Sequence, residues 1–443
     1  MGLGLLGGGV ATAKWLVKDG AKVTVTDLKT RRELGPSVRS LGPVAKSVRF
    51  VLGRHLAPDF RKNEIVVVNP GVPRESKYLK IAQTHGAKLE NEASIFFRAC
   101  RNPVVAVTGT RGKTTTATWI HHLLKKKYPK TVLTGNSSDN PMLAALVKLD
   151  GRSPVVVELS SWHLELLPKS GKAPHVAVIT NLYPDHLNRY PSMRSYALAK
   201  ANVFSNQSDD DFLLLNKTSP WTKFFRGRKP RSRVVYFPAD VGFDLEKFKK
   251  THGFHNFYNL NVAALVARHF GVPLTRVKSA LKTLPQVRFR EETIIKRRNI
   301  EVVNDTTATT PEATIAALKR FGSSGRLILI TGGTDKKLNF KEWARDVKKY
   351  VKPENLFLLN STATKKMVRE LKIIGYFRKS KPQIFETLPL ILHSVKKKLN
   401  AKRSTLKPVV LFSPGATSFE KFKNEFDRGE QFNRLAKKYF SRI

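Results

Sequence analysis

Residues Thr108-Gly-Thr-Arg-Gly-Lys-Thr-Thr-Thr116 set a glycine-framed turn, a lysine and a row of hydroxyls after the apolar run Pro103-Val-Val-Ala-Val107. A helical pattern follows from Ala117. A strand, a tight turn and a helix start make a cradle for phosphate. Backbone N–H groups and the positive helix end meet the oxygens, a lysine reaches the outer phosphates, and a threonine hydroxyl can ligate Mg2+. Gly109, Thr110, Arg111, Gly112, Lys113, Thr114 and Thr115 are the candidates. Val107 stands where the longer form of this loop has its first glycine, so only a subset of phosphate-loop folds is compatible. The chemistry is that of a nucleoside triphosphate site.

A second glycine cluster opens the chain. Gly2-Leu-Gly4-Leu-Leu-Gly7 has the G-x-G-x-x-G spacing, and Asp27 follows about twenty residues later, as a dinucleotide-type fold requires. Gly4, Gly7 and Asp27 are therefore candidates for a diphosphate and a ribose or base. Alone the fingerprint is weak, and Met1 abuts it where a strand should precede it. A start upstream is favoured, because a doubly wound sheet lacking its central strand leaves two neighbours unpaired.

The elements that must hold these turns alternate along the chain. Val23–Asp27 and Ile65–Asn69 read as buried parallel strands, then Val155–Glu158, Val176–Thr180 and Phe212–Leu215, and then Ile300–Asn304, Leu327–Thr331, Leu356–Leu359 and Val409–Phe412. The stretch Phe225–Arg233 reads as an exposed basic loop, and a helix is expected from near Asn259 to His269, ended by Gly271-Val-Pro273. The pattern predicts an α/β chain of three domains: a Rossmann-like one at 1–92 with its first strand missing, a phosphate-loop domain with a mostly parallel sheet at 93–284, and a second Rossmann-like unit at 285–443.

Composition narrows the class. The 443 residues contain no apolar run long enough to span a bilayer and no opening signal segment, and the single cysteine, Cys100, excludes an internal disulfide framework. A cytoplasmic protein is expected. The net charge of +46 is unusual, with clusters at Lys125–Lys127, Arg226–Arg233, Arg297–Arg298 and Lys396–Lys398. The charge is scattered and no RNA-binding signature accompanies it, so it reads as solvated surface; a basic, nucleic-acid-associated ATPase is the reading it would support from another class.

Several motifs stand in order: Gly135-Asn136, Glu158-Leu-Ser-Ser-Trp-His-Leu-Glu165, Asn181-Leu-Tyr-Pro-Asp-His-Leu-Asn-Arg-Tyr190, Tyr196-Ala-Leu-Ala-Lys200, His255-Asn256-Phe-Tyr-Asn259, Asn304-Asp-Thr-Thr-Ala-Thr309, Gly332-Gly-Thr-Asp-Lys336 and Ser413-Pro-Gly-Ala-Thr-Ser-Phe419. Together with the phosphate loop this series resembles the Mur ligases of peptidoglycan synthesis, across almost the whole chain. The Glu-Leu-Ser-Ser element and the block from Ser413 to Gln431 favour the D-glutamate-adding branch. Another Mur ligase or a folylpolyglutamate synthase-like enzyme is the neighbouring alternative. A nicotinamide-dependent dehydrogenase, suggested by the opening glycines, explains nothing after residue 100.

The resemblance implies ATP, UDP-N-acetylmuramoyl-L-alanine and D-glutamate as substrates, with the substrate carboxylate phosphorylated before the amine attacks. It implies that Lys113 covers the triphosphate, that Thr114 and Glu158 hold Mg2+, and that His186 and a carbamylated Lys200 serve a second ion. In isolation Glu158 reads equally as a helix cap or ion-pair partner, His186 beside Asp185 as a structural residue, and Lys200 as a solvated lysine. Asn256 and Asn259 match residues near the adenine, Arg288 and Asp305 contacts to ATP, and Asn136 a neighbour of the muramoyl substrate. Thr309, Lys336 and Ser413 match the residues that hold the D-glutamate carboxylates; a dicarboxylate needs such a cation and such hydroxyls. No protein partner or membrane span is implied.

Two positions depart from the family. Arg111 stands where it has asparagine, and Thr307 where it has lysine, so one cation is gained and one lost. Arg111 is expected to replace part of the missing charge near the γ-phosphate; the alternative is a guanidinium in solvent and a slower enzyme.

Overall fold

A computed structural model describes residues 1–5, 7–136, 140–187, 189–244, 248, 253–322, 325–378, 380–401 and 406–441. The chain divides into two compact units, Met1–Asp244 with Asn256–Pro285, and Gln286–Ile443 with Leu245–His255.

The first unit opens with two parallel strand pairs, β1 (Val23–Asp27) with β2 (Val48–Leu52), and β3 (Ile65–Val67) with β4 (Lys88–Glu90). Residues Met1–Leu3 run between the pairs. The Gly2 N–H donates to Thr26 O (2.8 Å), the Met1 ammonium to Val67 O (2.9 Å), and the Asn69 N–H to Met1 O (3.1 Å). The expected gap in the sheet is thus bridged by a few residues at the ligand-facing end, where Leu3 is buried. Backbone groups at a sheet's interior must find partners, and this stub supplies them.

A six-stranded all-parallel sheet follows: β5 (Val104–Thr108), β6 (Val132–Gly135), β7 (Val155–Glu158), β8 (Val176–Ile179), β9 (Phe212–Asn216) and β10 (Arg233–Phe237), in the order β10-β9-β8-β5-β7-β6. Every residue of β5, β7 and β8 is buried, which is why these strands are near-continuous runs of valine, alanine and isoleucine. The chain leaves β5 toward β7 on one side and returns to β8 on the other, so the crevice for a ligand opens at the carboxyl end of β5. The basic loop expected at Phe225–Arg233 is present but shorter, at residues 228–232: Thr222–Gly227 is a helix with Phe225 buried, and Arg233 begins edge strand β10. Two adjacent phenylalanines seeking the core outweigh the surrounding arginines.

The second unit holds β11 (Glu292–Lys296), β12 (Glu301–Asn304), β13 (Leu327–Thr331), β14 (Leu356–Leu359), β15 (Gln383–Phe385) and β16 (Val409–Phe412) in the order β11-β12-β16-β13-β14-β15. Only β11 is antiparallel. The turns after β12, β13 and β16 leave neighbouring strands at the same edge, and they carry Asp305 to Thr309, Gly332 to Lys336 and Ser413 to Phe419. No described helix is long and apolar enough to cross a membrane.

Candidate active site

The loop after β5 turns into the helix Lys113–Leu124, which begins earlier than the expected Ala117 because Gly112, in the left-handed region at φ 78°, can serve as its N-cap. Two glycines are enforced here. A Cβ at Gly109 (φ 143°) would lie 1.9 Å from Thr180 Oγ1, and one at Gly112 2.5 Å from Asn259 Oδ1. Asn181, two residues past β8, locks the centre of the loop: its Oδ1 accepts the Arg111 N–H (2.9 Å) and its Nδ2 donates to Arg111 O (3.1 Å). The Thr180 hydroxyl also donates to Arg111 O (2.7 Å), and the Tyr183 N–H donates to Thr110 Oγ1 (3.0 Å). Lys113 Nζ reaches back to Thr110 O (3.1 Å). Sequence alone does not single out Asn181, because an asparagine that shapes a loop looks like any strand-end turn residue until the loop lies beside it.

Beneath the loop lies Lys200, on the helix Met193–Ala201. It is 1% exposed, and its Nζ donates to Gly109 O (2.8 Å) 4.7 Å from the Tyr196 ring centre. Burial, and then repulsion from Lys113, hold its amine well below the ordinary lysine range, while Asp185 and Glu158 pull the other way. Glu158 ends β7, nearly buried, and no described residue donates a hydrogen bond to its carboxylate. His186 adopts φ 54°, with its Nε2 3.7 Å from Asp185 Oδ2 and its ring edge-on to Trp162 and Tyr196. Lys113, Glu158 and Asp185 are thus the charged neighbours that act on Lys200 near the carboxyl ends of β5, β7 and β8.

Asn256 and Asn259 lie within the helix Phe254–His269, which starts earlier than expected. Asn259 Oδ1 accepts from Thr116 Oγ1 (3.1 Å) and its Nδ2 donates to Asn256 Oδ1 (3.1 Å), so this amide backs the phosphate loop through Gly112. Asn136 is exposed, its N–H donating to Glu158 O (2.9 Å).

In the first strand pairs, Asp27 accepts from the N–H groups of Gly4 (3.1 Å) and Lys29 (2.9 Å), and Gly7 caps the helix Gly8–Lys18 with no side chain on its N–H groups. Glu92 enters this corner unannounced by sequence. Its Oε1 accepts the Leu143 N–H (3.2 Å), and its Oε2 would stand 3.1 Å from a Cβ at Gly8. Burial pushes its carboxyl up to about 7, against the pull of the Leu143 and Met142 N–H groups. The folded pKa exceeds the unfolded value of 4.5, so the folded state holds the proton longer, and stability falls as pH rises from about 4.5 to about 7. Glu92→Gln is expected to remove that slope: chemical denaturation at pH 5 and pH 8 should show parent and variant converging at the acid end and the variant ahead at pH 8 by about 1–3 kcal/mol. Parallel pH profiles would contradict this.

The second unit gathers another polar cluster. Ser413 is fully buried, its hydroxyl within reach of Asp305 Oδ2 (2.8 Å) and Thr314 Oγ1 (3.0 Å), and Asp305 Oδ1 accepts the Glu291 N–H (3.2 Å). Burial, with repulsion from Glu291, pushes the Asp305 carboxyl up. The Thr307 hydroxyl donates to Phe289 O (2.8 Å) and Thr309 is half-buried. Lys336 is exposed, its ammonium 5.3 Å from the Phe419 ring centre, and Arg288 pairs with Glu430. Behind the cluster stands Arg428, which the sequence did not mark. Its guanidinium is fully buried and donates to Thr306 Oγ1 (2.9 Å), Thr306 O (2.7 Å), Ala416 O (3.1 Å) and Thr417 O (3.1 Å). It ties the turn after β12 to the turn after β16.

The family description "Mur ligase middle domain" matches residues 107–270, and "Mur ligase MurD-like, N-terminal domain" matches residues 1–90. The chain is 37% identical over 470 aligned positions to the UDP-N-acetylmuramoylalanine–D-glutamate ligase of Roseiflexus sp. (strain RS-1), covering 99% of this chain and 98% of that protein. It is 36% identical to the ligase of the same name from Borreliella afzelii, covering 98% and 96%. Among solved structures, the UDP-N-acetylmuramate-alanine ligase of Thermotoga maritima superposes with a TM-score of 0.59 at 19% identity over 99% and 98% of the two chains, a likeness of fold alone. By its phosphate loop, its sheet order and its full-length similarity to these relatives, the chain belongs to the Mur ligase family.

Proposed function

We propose that the chain joins D-glutamate to UDP-N-acetylmuramoyl-L-alanine with cleavage of ATP, in peptidoglycan precursor synthesis. The observation that carries the substrate assignment is the identity of 37% along the full length to a relative named for that reaction. The phosphate loop supports the ATP half.

A carboxylate is a poor electrophile, and phosphorylation gives it a leaving group; what the protein must supply is position and charge. Lys113 and the N–H groups at the start of its helix, residues 112–115, neutralise the phosphates, while the N–H groups of Thr110 and Arg111 are held by Asn181. Glu158, an acceptor-only group without a hydrogen-bond donor among the described residues, fits a hard cation, and Thr114 stands one residue beyond Lys113. Among the described residues no three His, Cys, Asp or Glu side chains cluster as a metal cage. Mg2+ keeps several waters and binds through one or two carboxylates plus phosphate oxygens. His186 and a carbamate on Lys200 would hold a second ion. An Mg2+ ion held by these residues would offset the charge that builds up on the transferred phosphoryl group. Gly4, Gly7 and Asp27 are assigned to the UDP portion, Asn136 to the muramoyl part, Asn256 and Asn259 to the nucleotide side of the loop, Arg288 and Asp305 to ATP, and Thr309, Lys336 and Ser413 to D-glutamate. The division into domains at 1–92, 93–284 and 285–443 and a cytoplasmic location go with this reading.

The test is phosphate release from ATP and Mg2+ with UDP-N-acetylmuramoyl-L-alanine and each candidate amino acid added singly. Release is expected with D-glutamate. Release only with another amino acid would move the substrate assignment and keep the mechanism, and release stimulated by nucleic acid alone would overturn it. In the same assay Arg111→Asn is expected to lower kcat about tenfold, the scale of one exposed charge at a phosphate, and Thr307→Lys in that background to restore part of it. An unchanged kcat for Arg111→Asn would leave the guanidinium without a role.

A further inference from the structure

At the edge of the central sheet opposite the phosphate loop, two imidazoles face each other. His175 precedes β8, His269 lies in the last turn of the helix Phe254–His269, and their Nε2 atoms are 3.3 Å apart. The Nδ1 of His175 lies 3.4 Å from Asp211 Oδ1, a contact that favours the tautomer with its electron pair on Nε2. Asp211 is itself fixed: its Oδ2 accepts from the Ser208 N–H (2.8 Å) and hydroxyl (3.1 Å). Phe212 and Phe270 pack around the pair, with the His269 ring centre 3.9 Å from that of Phe212. His269 is exposed and His175 half-exposed, so the open side of the pair faces solvent.

We infer that His175 and His269 form a binding site for a borderline divalent transition cation, Zn2+ foremost, completed by water. The spacing is the first reason. Two nitrogens each about 2.05 Å from a tetrahedral ion stand about 3.3 Å apart, whereas a direct N–H···N bond prefers a shorter contact. The second reason is the carboxylate behind His175, the arrangement that orients a metal-bound imidazole and raises its basicity. The third is position: His269 ends a helix, where the carbonyl dipoles attract a cation. Opposing these are Lys127, bonded to Phe270 O, and Arg233, which stacks on Phe212. Two ligands with cations nearby make micromolar affinity the expectation, not the tight binding of a closed four-ligand site. The ion would clip the end of the helix whose first turns back the phosphate loop to the start of β8, a structural staple away from the chemistry.

The test is calorimetric titration of Zn2+ into tag-free protein freed of metals with a chelator, with millimolar Mg2+ present to occupy the ATP-side positions. One micromolar site is expected. His269→Asn and His175→Asn should each weaken it more than tenfold, and Asp211→Asn by about 10–100-fold. The melting temperature should rise by a few degrees with Zn2+ in the parent and not in His269→Asn. His269 is exposed at a helix end, so that variant keeps the test sound even if His175→Asn folds poorly. Absence of Zn2+ binding, or binding of equal strength in both histidine variants, would overturn the assignment.

Discussion

Replacing Lys200 with methionine is expected to lower ligase turnover about 10³-fold, the scale on which an enzyme loses rate when a preorganised charge at the reacting phosphate is removed. The reason begins with where the side chain lies. A lysine 1% exposed, with Nζ on the Gly109 carbonyl and Lys113 close by, cannot keep the solvation its charge requires. Its depressed pKa makes a neutral amine accessible at neutral pH, and a neutral amine is the form that adds to CO2. The ammonium first gives up one proton; the Nζ–carbon bond to CO2 then forms and a second proton leaves the nitrogen, so that a cation has become an anion with two oxygens. Methionine keeps most of the stem's packing while removing the amine. The parent should lose activity in CO2-depleted buffer and regain it with bicarbonate, and 13C-labelled CO2 should give a carbamate resonance absent from Lys200→Met. A variant of normal turnover would remove Lys200 from the site; a slow variant whose parent ignores CO2 would keep the lysine and discard the carbamate.

The second large effect is expected at Arg428. Burial holds its guanidinium down to about 10, still charged at neutral pH, and its N–H groups satisfy three carbonyls and a hydroxyl that water cannot reach. Arg428→Met removes a costly buried charge but strands the Thr306 and Ala416 carbonyls at about 1–3 kcal/mol each, while Thr417 O keeps the Thr334 N–H (2.7 Å). The second term wins, for a net loss of roughly 3–5 kcal/mol. The melting temperature should fall by roughly 10 °C, and the KM for D-glutamate should rise while the KM for the UDP-sugar holds. Lys in place of Arg should rescue neither, because an ammonium is a single point and cannot span two turns. A melting temperature within about 2 °C of the parent would refute the clamp.

How far the sequence carried can be judged from particular elements. Val155–Glu158, Leu327–Thr331 and Val409–Phe412 were legible to the residue, since strands buried on both faces are written as unbroken β-branched and leucine runs. Edge strands β10 and β15 were not, because Arg233–Phe237 and Gln383–Phe385 mix exposed and half-buried positions and lose that pattern. The phosphate loop was readable because its chemistry needs local residue types. Asn181, Glu92 and Arg428 were not, for the partners that define each lie 70, 51 and up to 122 positions away in the chain. Asn259 shows the intermediate case: its place near the nucleotide could be expected, but its amide is spent on Thr116 and Asn256.

The amide of Asn181 grips the backbone of Arg111 by its N–H and by its carbonyl, and touches nothing of the side chain in doing so. The shape of the loop is therefore inherited from residue 181, and position 111 is an interchangeable socket. A lineage can trade a neutral group for a cation there by substituting one residue, changing the charge the loop carries without rebuilding the turn.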